Sequence, residues 1–257
     1  MKKIILISVL TLTLTGCLRL EEPPLLGTPQ VTNTAKPSST LTPTVIWFPA
    51  TDTPVVTPTQ ELTPTPALMV ELGDVIYQDP FTSPEGWTLP QTDRGQINIG
   101  NGEINIIINE TGSYLAGTLE KPDLSDFYAE ITTSPVLCSA EDEYGFLFSV
   151  YGSQQYYRFA LSCSGEVRLD KIGPEGTTIF YPWTRCASVP AGAPSVTKLA
   201  VLVVDDEVYL YINGNSLFSI GGQDNIYGSF GVYARSLGES ALTVSFSDLI
   251  VREVLPK

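Results

Sequence analysis

From about Gly73 to Val254 the chain alternates apolar and polar residues with a period of two, interrupted by turn residues. Gln96 to Ile99 and Glu103 to Asn109 flank Asn101-Gly102. Leu199 to Val204 and Glu207 to Ile212 flank Asp205-Asp206, and Val208 to Ile212 and Ser216 to Ile220 flank Asn213-Gly214-Asn215. Asn-Gly supplies the positive φ that tight hairpins require, so these runs predict antiparallel hairpins. Tyr144 to Tyr151, Gln155 to Ser162 and Glu166 to Ile172 predict a meander with Gly165 at one turn, followed by a strand near Thr177 to Tyr181. Phe230 to Ala234 and Leu242 to Val251 complete the pattern. No amphipathic helix longer than two turns is legible. Many short strands joined by turns over roughly 180 residues predict an all-β fold, a two-sheet antiparallel sandwich.

Alternation also sorts side chains between the two faces of a sheet. If Phe146, Phe148, Tyr157, Phe159, Val167 and Leu169 face the core, then Ser149, Tyr151, Tyr156, Arg158, Arg168 and Asp170 share the opposite face. Sugar recognition needs aromatic faces that stack on pyranose rings and planar polar groups that grip hydroxyls, and this patch offers both. Tyrosines and arginines on a sheet face are equally ordinary cross-strand partners. Trp183 and Tyr181, read as lying in the loop leaving the next strand, either wall the patch or cap the core. Tyr209 and Tyr211 fall on an outer face of a sheet that the pattern does not identify.

The residues before the domain differ in kind. From about Glu21 to Leu68 the chain is rich in Pro and Thr, with Thr42-Pro43-Thr44, Thr57-Pro58-Thr59 and Thr63-Pro64-Thr65-Pro66 recurring. Proline lacks the backbone donor and holds φ near polyproline II, so residues 17–70 read as a disordered tether reaching at most roughly 150 Å. Trp47 and Phe48 interrupt it as an apolar pair. Upstream, Lys2 and Lys3 precede the apolar stretch Ile4 to Leu14, too short for the roughly 20 residues of a membrane helix and suited to a signal peptide over 1–16. Leu14-Thr15-Gly16-Cys17 resembles a bacterial lipoprotein lipobox. That resemblance implies a lipidated Cys17 at the mature N-terminus, a membrane partner through the acyl chains, and an extracytoplasmic location.

The net charge is −14, and loss of Lys2 and Lys3 makes it more negative, which disfavours nucleic acid and anionic lipid surfaces as partners. The chain contains no histidine, which excludes Ser/His/Asp and Cys/His triads and His-based catalytic zinc. Two carboxylates could still hydrolyse a glycoside. Glu141-Asp142-Glu143 is the nearest approach to such a pair; it precedes a strand and reads as a solvated acidic turn, with a calcium contact as the alternative. Calcium is the cofactor most compatible with this oxygen-rich composition, and Asp79 and Asp248 are its candidate ligands because the two ends of such a sandwich lie side by side.

Tyr144-Gly145-Phe146-Leu147-Phe148, Tyr156-Tyr157-Arg158-Phe159, Leu199-Ala200-Val201, Tyr211-Ile212-Asn213-Gly214, Gly228-Ser229-Phe230-Gly231-Val232-Tyr233 and Val244-Ser245-Phe246-Ser247-Asp248 occur in that order. The succession resembles the concanavalin A-like lectin/glucanase superfamily, in its laminin G-like jelly-roll modules. It implies a jelly roll over 71–257 with a concave sheet on which relatives often bind glycans. Many such modules carry Phe-Arg where this chain has Phe148-Ser149, and the glucanase pattern Glu-x-Asp-x-x-Glu is absent. Three cysteines lie in the domain, so at most one internal disulfide forms. Cys138 precedes the strand from Tyr144 and Cys163 follows the strand ending at Ser162, which puts both at one end of a hairpin and favours their pairing; Cys163 with Cys186 is the alternative. Together these features predict a surface-anchored, non-catalytic module binding a glycan, with adhesion to a surface protein, a spacer role, or carboxylate-based glycoside hydrolysis as rivals.

Overall fold

A computed structural model describes residues 70–255 apart from Ser153, Asp224, Asn225 and Ser240. The signal peptide over 1–16, Cys17 and the Pro/Thr tether with Trp47 and Phe48 lie outside the described residues. No helix among the described residues is long and apolar enough to cross a membrane.

The strands in chain order are β1 (Glu71–Asp79), β2 (Trp87–Thr88), β3 (Gln91–Thr92), β4 (Gly95–Gly100), β5 (Glu103–Ile108), β6 (Tyr114–Leu119), β7 (Phe127–Leu137) and β8 (Glu143–Tyr151). They continue as β9 (Gln155–Ser162), β10 (Glu166–Gly173), β11 (Gly176–Arg185), β12 (Thr197–Val204), β13 (Glu207–Ile212), β14 (Asn215–Ile220), β15 (Ser229–Arg235) and β16 (Leu242–Leu255). Among the described residues they form two antiparallel sheets. The nine-stranded sheet runs β14-β13-β12-β7-β16-β5-β4-β3, with β1 on the far half of β16, and the seven-stranded sheet runs β11-β10-β9-β8-β15-β6-β2. Crossovers between sequence-distant strands, such as β15 between β8 and β6, give the topology of a jelly-roll sandwich.

Turn chemistry fixes the hairpins. Asn101 and Gly102 adopt φ of 57° and 82°, and Asn213 and Gly214 adopt 51° and 79°, the left-handed pair that matches strand twist. Between the sheets, Ile104 and Ile106 of β5, Phe127 and Ile131 of β7 and Val201 of β12 meet Phe146, Phe159, Leu169 and Phe230 from the other sheet, all buried. Phe127 stands edge-on to Phe230 across the layers at 5.0 Å, and Phe146 stacks on Phe230 at 5.8 Å. Such pairs add roughly 0.5–1.5 kcal/mol beyond the area they bury.

Three local irregularities place residues where strict alternation does not. In β8, Ser149 has φ 51°, and pairing with β15 jumps from Phe148↔Phe230 to Val150↔Ser229. The extra residue is a bulge. Val150 therefore joins Leu147 on the outer face, while Ser149, expected there, is buried, its hydroxyl without a hydrogen-bond partner among the described residues. Trp183, expected in a loop, lies within β11, whose pairing with β10 shifts twice between Val167 and Asp170. Pro182 does not end the strand because β11 is the sheet edge, where no ladder donor is required. In β16, Asp248 has φ 57° at the point where pairing with β7 slips between Ser247 and Ile250, so this residue serves the bulge.

Cys138 and Cys163 are joined by a disulfide, with Cα atoms 6.1 Å apart, at the end of the β8–β9 hairpin, and Cys186 has no disulfide partner among the described residues.

Candidate functional site on the seven-stranded sheet

The outer face of the seven-stranded sheet is built on a buried charged floor. Arg158 of β9 and Asp170 of β10 are directly paired residues of adjacent strands. Arg158 donates Nε–H to Asp170 Oδ1 at 2.9 Å and Nη2–H to Oδ2 at 2.8 Å, a bidentate fork. Arg168 brings Nε to 2.7 Å from Oδ2 of the same carboxylate, an ion pair outside hydrogen-bond geometry. Asp170 is fully buried and Arg158 nearly so. Burial pulls the Arg158 pKa down, but the hydrogen bonds to Asp170 and the neighbouring negative charges, Glu143 included, outweigh it and the net direction is up. This guanidinium carries its charge at every accessible pH.

Aromatic rings lie over the floor. The Arg158 guanidinium sits 5.3 Å from the ring centre of Tyr233 on β15, and Tyr114 of β6 stacks on Tyr233 at 5.6 Å. Tyr114 reaches far enough to bring its hydroxyl 3.3 Å from that of Tyr156 on β9, although β15 and β8 lie between their strands. The Arg168 guanidinium lies 5.8 Å from the Trp183 ring. Burial, first of all, raises the pKa of both Tyr233 and Tyr114, so both phenols are neutral donors at physiological pH. The Tyr233 hydroxyl has no hydrogen-bond partner among the described residues. Gly145, between Tyr233 and Ala160 in the register, is required where it is: a Cβ there would strike the Phe159 carbonyl oxygen.

At one end of this face a cleft of about 410 Å³ is lined by Glu141, Glu143, Ser162, Ser164, Glu166 and Trp183, with Ala140 and Leu237. Glu143 and Ser162 are paired residues of β8 and β9. Ser164 donates its hydroxyl to Glu166 Oε2 at 2.9 Å. Glu143 is only 6 % exposed, and its Oε2 has no partner among the described residues. Of the acidic run, Glu141 is exposed in the turn as expected, whereas Asp142 and Glu143 are buried. Asp142 is fully buried and accepts the backbone N–H of Ser139 at 2.6 Å, Leu237 at 2.8 Å and Gly238 at 2.9 Å, tying two loops at the rim of the cleft.

The structure thus brings Tyr156, Arg158, Arg168, Asp170 and Trp183 onto one face. Tyr151 lies apart, 61 % exposed at the opposite end of β8, where it lines a second cleft of about 440 Å³ with Glu120 and Asp123. Tyr181 faces inward, stacked on Phe218 of the other sheet at 4.0 Å. Tyr209 and Tyr211 belong to the outer face of the nine-stranded sheet, beside Ala200 and Leu202. Tyr114, Tyr233 and Glu166 were missed as site residues; for Tyr114 on β6 and Tyr233 on β15, local alternation says nothing of which distant strand lies alongside.

The calcium expectation fares differently. Asp79 and Leu249 are paired, so the chain ends of the domain do run side by side. Yet Asp79 is buried and its carboxylate already accepts the Phe81 N–H at 2.7 Å, the Trp87 indole N–H at 2.7 Å and the Tyr77 hydroxyl at 3.2 Å. Asp248 is exposed and accepts the Ser247 hydroxyl. Among the described residues no three Asp, Glu or Cys side chains are grouped to hold a metal ion.

No protein-family profile matches the sequence, and no curated protein matches it. Solved structures do resemble the fold. A Bacillus subtilis protein of unknown function with a galectin-like fold matches over 74 % of this chain and all of its own, at 12 % identity and TM-score 0.58. The carbohydrate-binding module CBM66 from Bacillus subtilis matches over 65 % of this chain and 96 % of its own, at 13 % identity and TM-score 0.50. The catalytic domain of an endo-1,3-β-glucanase (laminarinase) from Thermotoga petrophila matches over 73 % of this chain and all of its own, at 11 % identity and TM-score 0.52. These likenesses establish a concanavalin A-like, galectin-like jelly roll.

Proposed function

We propose that the chain is a lipid-anchored, surface-displayed module that binds a glycan, without chemistry, on the outer face of its seven-stranded sheet. One observation carries this reading: the rings of Tyr114, Tyr156 and Trp183 share one sheet face with the buried Arg158–Asp170–Arg168 floor, Tyr114 meeting Tyr156 at their hydroxyls and Trp183 packing against Arg168. Rings held in place lose little rotamer freedom when a pyranose packs on them, and the adjoining cleft adds acceptors for hydroxyls. A carbohydrate-binding module and a laminarinase catalytic domain share the fold, which supports a saccharide as the class of ligand. The anchor rests on Leu14-Thr15-Gly16-Cys17, and the Pro/Thr residues after it would hold the domain away from the membrane.

A glycan array probed with the full-length chain, with calcium and with chelator, tests the binding. Retention of at least one glycan in both conditions is expected; no retention in either would remove the lectin reading. Mass spectrometry of the mature chain tests the anchor: an acylated Cys17 is expected, and an unmodified cysteine would refute it.

A second reading, glycoside hydrolysis, is favoured by Glu143 and Glu166 lining one cleft. Release of reducing ends from a β-glucan, abolished in Glu143→Gln, would establish it in place of simple binding.

A further inference from the structure

The cleft at the Glu143 end of the sheet has a charge it does not balance itself. Glu141, Glu143 and Glu166 line it, and no lysine or arginine does. None of the three carboxylates forms an ion pair among the described residues. Glu166 is met by the neutral hydroxyls of Ser162 and Ser164, while Arg185, its partner on β11, donates to the Ser164 carbonyl and forms no ion pair with it. Arg235 is the residue paired with Glu143 on β15, but its guanidinium lies beyond ion-pair distance. Glu143, only 6 % exposed, has an Oε2 without a hydrogen-bond partner among the described residues, and the cation that feels its charge, Arg158, has its guanidinium committed to Asp170.

Burying a carboxylate without a partner is costly, and a group that supplies both positive charge and N–H donors offsets that cost best. An anionic sugar would be repelled, and a neutral one would leave the charge standing. Trp183 closes one side of the cleft with an apolar ring suited to the face of a pyranose. The volume, about 410 Å³, falls at the lower end of small-molecule sites.

We infer that this cleft is a subsite for an amino sugar with a free amine, its ammonium held by Glu143 and Glu166 and its ring packed on Trp183. The inference rests on the glycan-binding reading and names the class of saccharide for it. The saccharide enters with the amine toward the Ser162–Glu166 end of β9 and β10, where the Ser162 and Ser164 hydroxyls lie against the Glu166 carboxylate. Asp142 keeps the rim in place by its three backbone hydrogen bonds and takes no part in holding the ligand.

Titration calorimetry of the full-length chain at about 150 mM salt tests this with four probes: a β-1,4-linked glucosamine tetramer, its N-acetylated counterpart, the corresponding glucose tetramer, and tetralysine. The free-amine sugar should bind at least tenfold tighter than the other three, and Glu143→Gln and Glu166→Gln should each weaken it at least tenfold while the melting midpoint holds. Equal or tighter binding of the N-acetylated or neutral sugar would overturn the inference. Equal binding of tetralysine would reduce it to general attraction by an acidic protein. Unchanged affinity in both variants would also overturn it. If the amine sugar fails while the array retains other glycans, only the inference falls; if no glycan binds anywhere, the glycan-binding reading falls with it.

Discussion

Arg158 and Asp170 face each other across β9 and β10 and are locked by two hydrogen bonds of 2.9 and 2.8 Å, with Arg168 as a second cation on the same carboxylate. Removing one partner of a buried pair strands a charge, which costs roughly 3–5 kcal/mol, whereas the pair itself adds little net stability over an apolar substitute. Asp170→Ala should therefore lower stability by about that amount, and a combined Arg158→Leu, Asp170→Leu variant should lose less than the two single changes together. Urea midpoints of the set measure this; a near-neutral Asp170→Ala would show that the floor is not held electrostatically.

Asp142 should be as sensitive although it contacts no ligand. Its carboxylate accepts three backbone N–H groups, two of them from the loop before β16. Bonds to a buried charge are worth roughly 1.5–3 kcal/mol each, so Asp142→Ala should cost about 3 kcal/mol or more. Hydrogen exchange at the Leu237 and Gly238 amides should rise sharply in the variant.

Alkaline pH should unfold the domain through its tyrosines. Burial pushes Tyr144 up to about 12 against a weaker opposite pull from a hydrogen bond with Ser195, and burial together with Asp79 pushes Tyr77 up to about 12. The unfolded chain loses these protons near pH 10 while the folded chain keeps them, so stability is full below about pH 10 and falls between about pH 10 and 12. Tyr144 alone should contribute a slope of about 1.4 kcal/mol per pH unit in that window. Guanidinium midpoints against pH, for the parent and for Tyr144→Phe, check this; the variant should show the shallower fall.

Loss of the Cys138–Cys163 bridge frees a loop whose ends are 25 residues apart. The chain-entropy relation assigns such a loop about 3 kcal/mol. Cys138→Ala with Cys163→Ala should lower stability by that much, since Cys186 is then the one cysteine left within residues 71–257 and cannot form a bridge there. Denaturation of the double variant with and without reductant should give coincident curves.

Turn residues made the hairpins legible: Asn101-Gly102 and Asn213-Gly214 mark β4–β5 and β13–β14, and the observed strands begin and end within a few residues of the alternation. The inner faces of β8, β9 and β10 were legible for the same reason, and with them Arg158, Arg168 and Asp170. What stayed hidden depends on partners far along the chain. β7 sits between β12 and β16, with Pro135 tolerated where its pairing with β16 is irregular. β6 carries Ala116 and Gly117 in place of strong strand formers, and its place beside β15 is what lays Tyr114 over Tyr233. The bulge at Ser149 exchanged one outer-face residue for its neighbour, a single-residue slip that no alternation rule foresees. Glu143 read as solvated because composition cannot show that it pairs between Ser162 of β9 and Arg235 of β15.

The central claim, that the ring-bearing face and not the far end of β8 holds the saccharide, is tested by titrating the glycan selected on the array into four proteins. These are the parent, Tyr156→Ala, Trp183→Ala and Tyr151→Ala. Affinity should fall roughly tenfold or more in the first two variants, about 1.4 kcal/mol of lost binding, and stay unchanged in Tyr151→Ala, with all melting midpoints alike. Unchanged affinity in Tyr156→Ala and Trp183→Ala, or a loss confined to Tyr151→Ala, would contradict the account and move the site to the cleft beside Glu120 and Asp123.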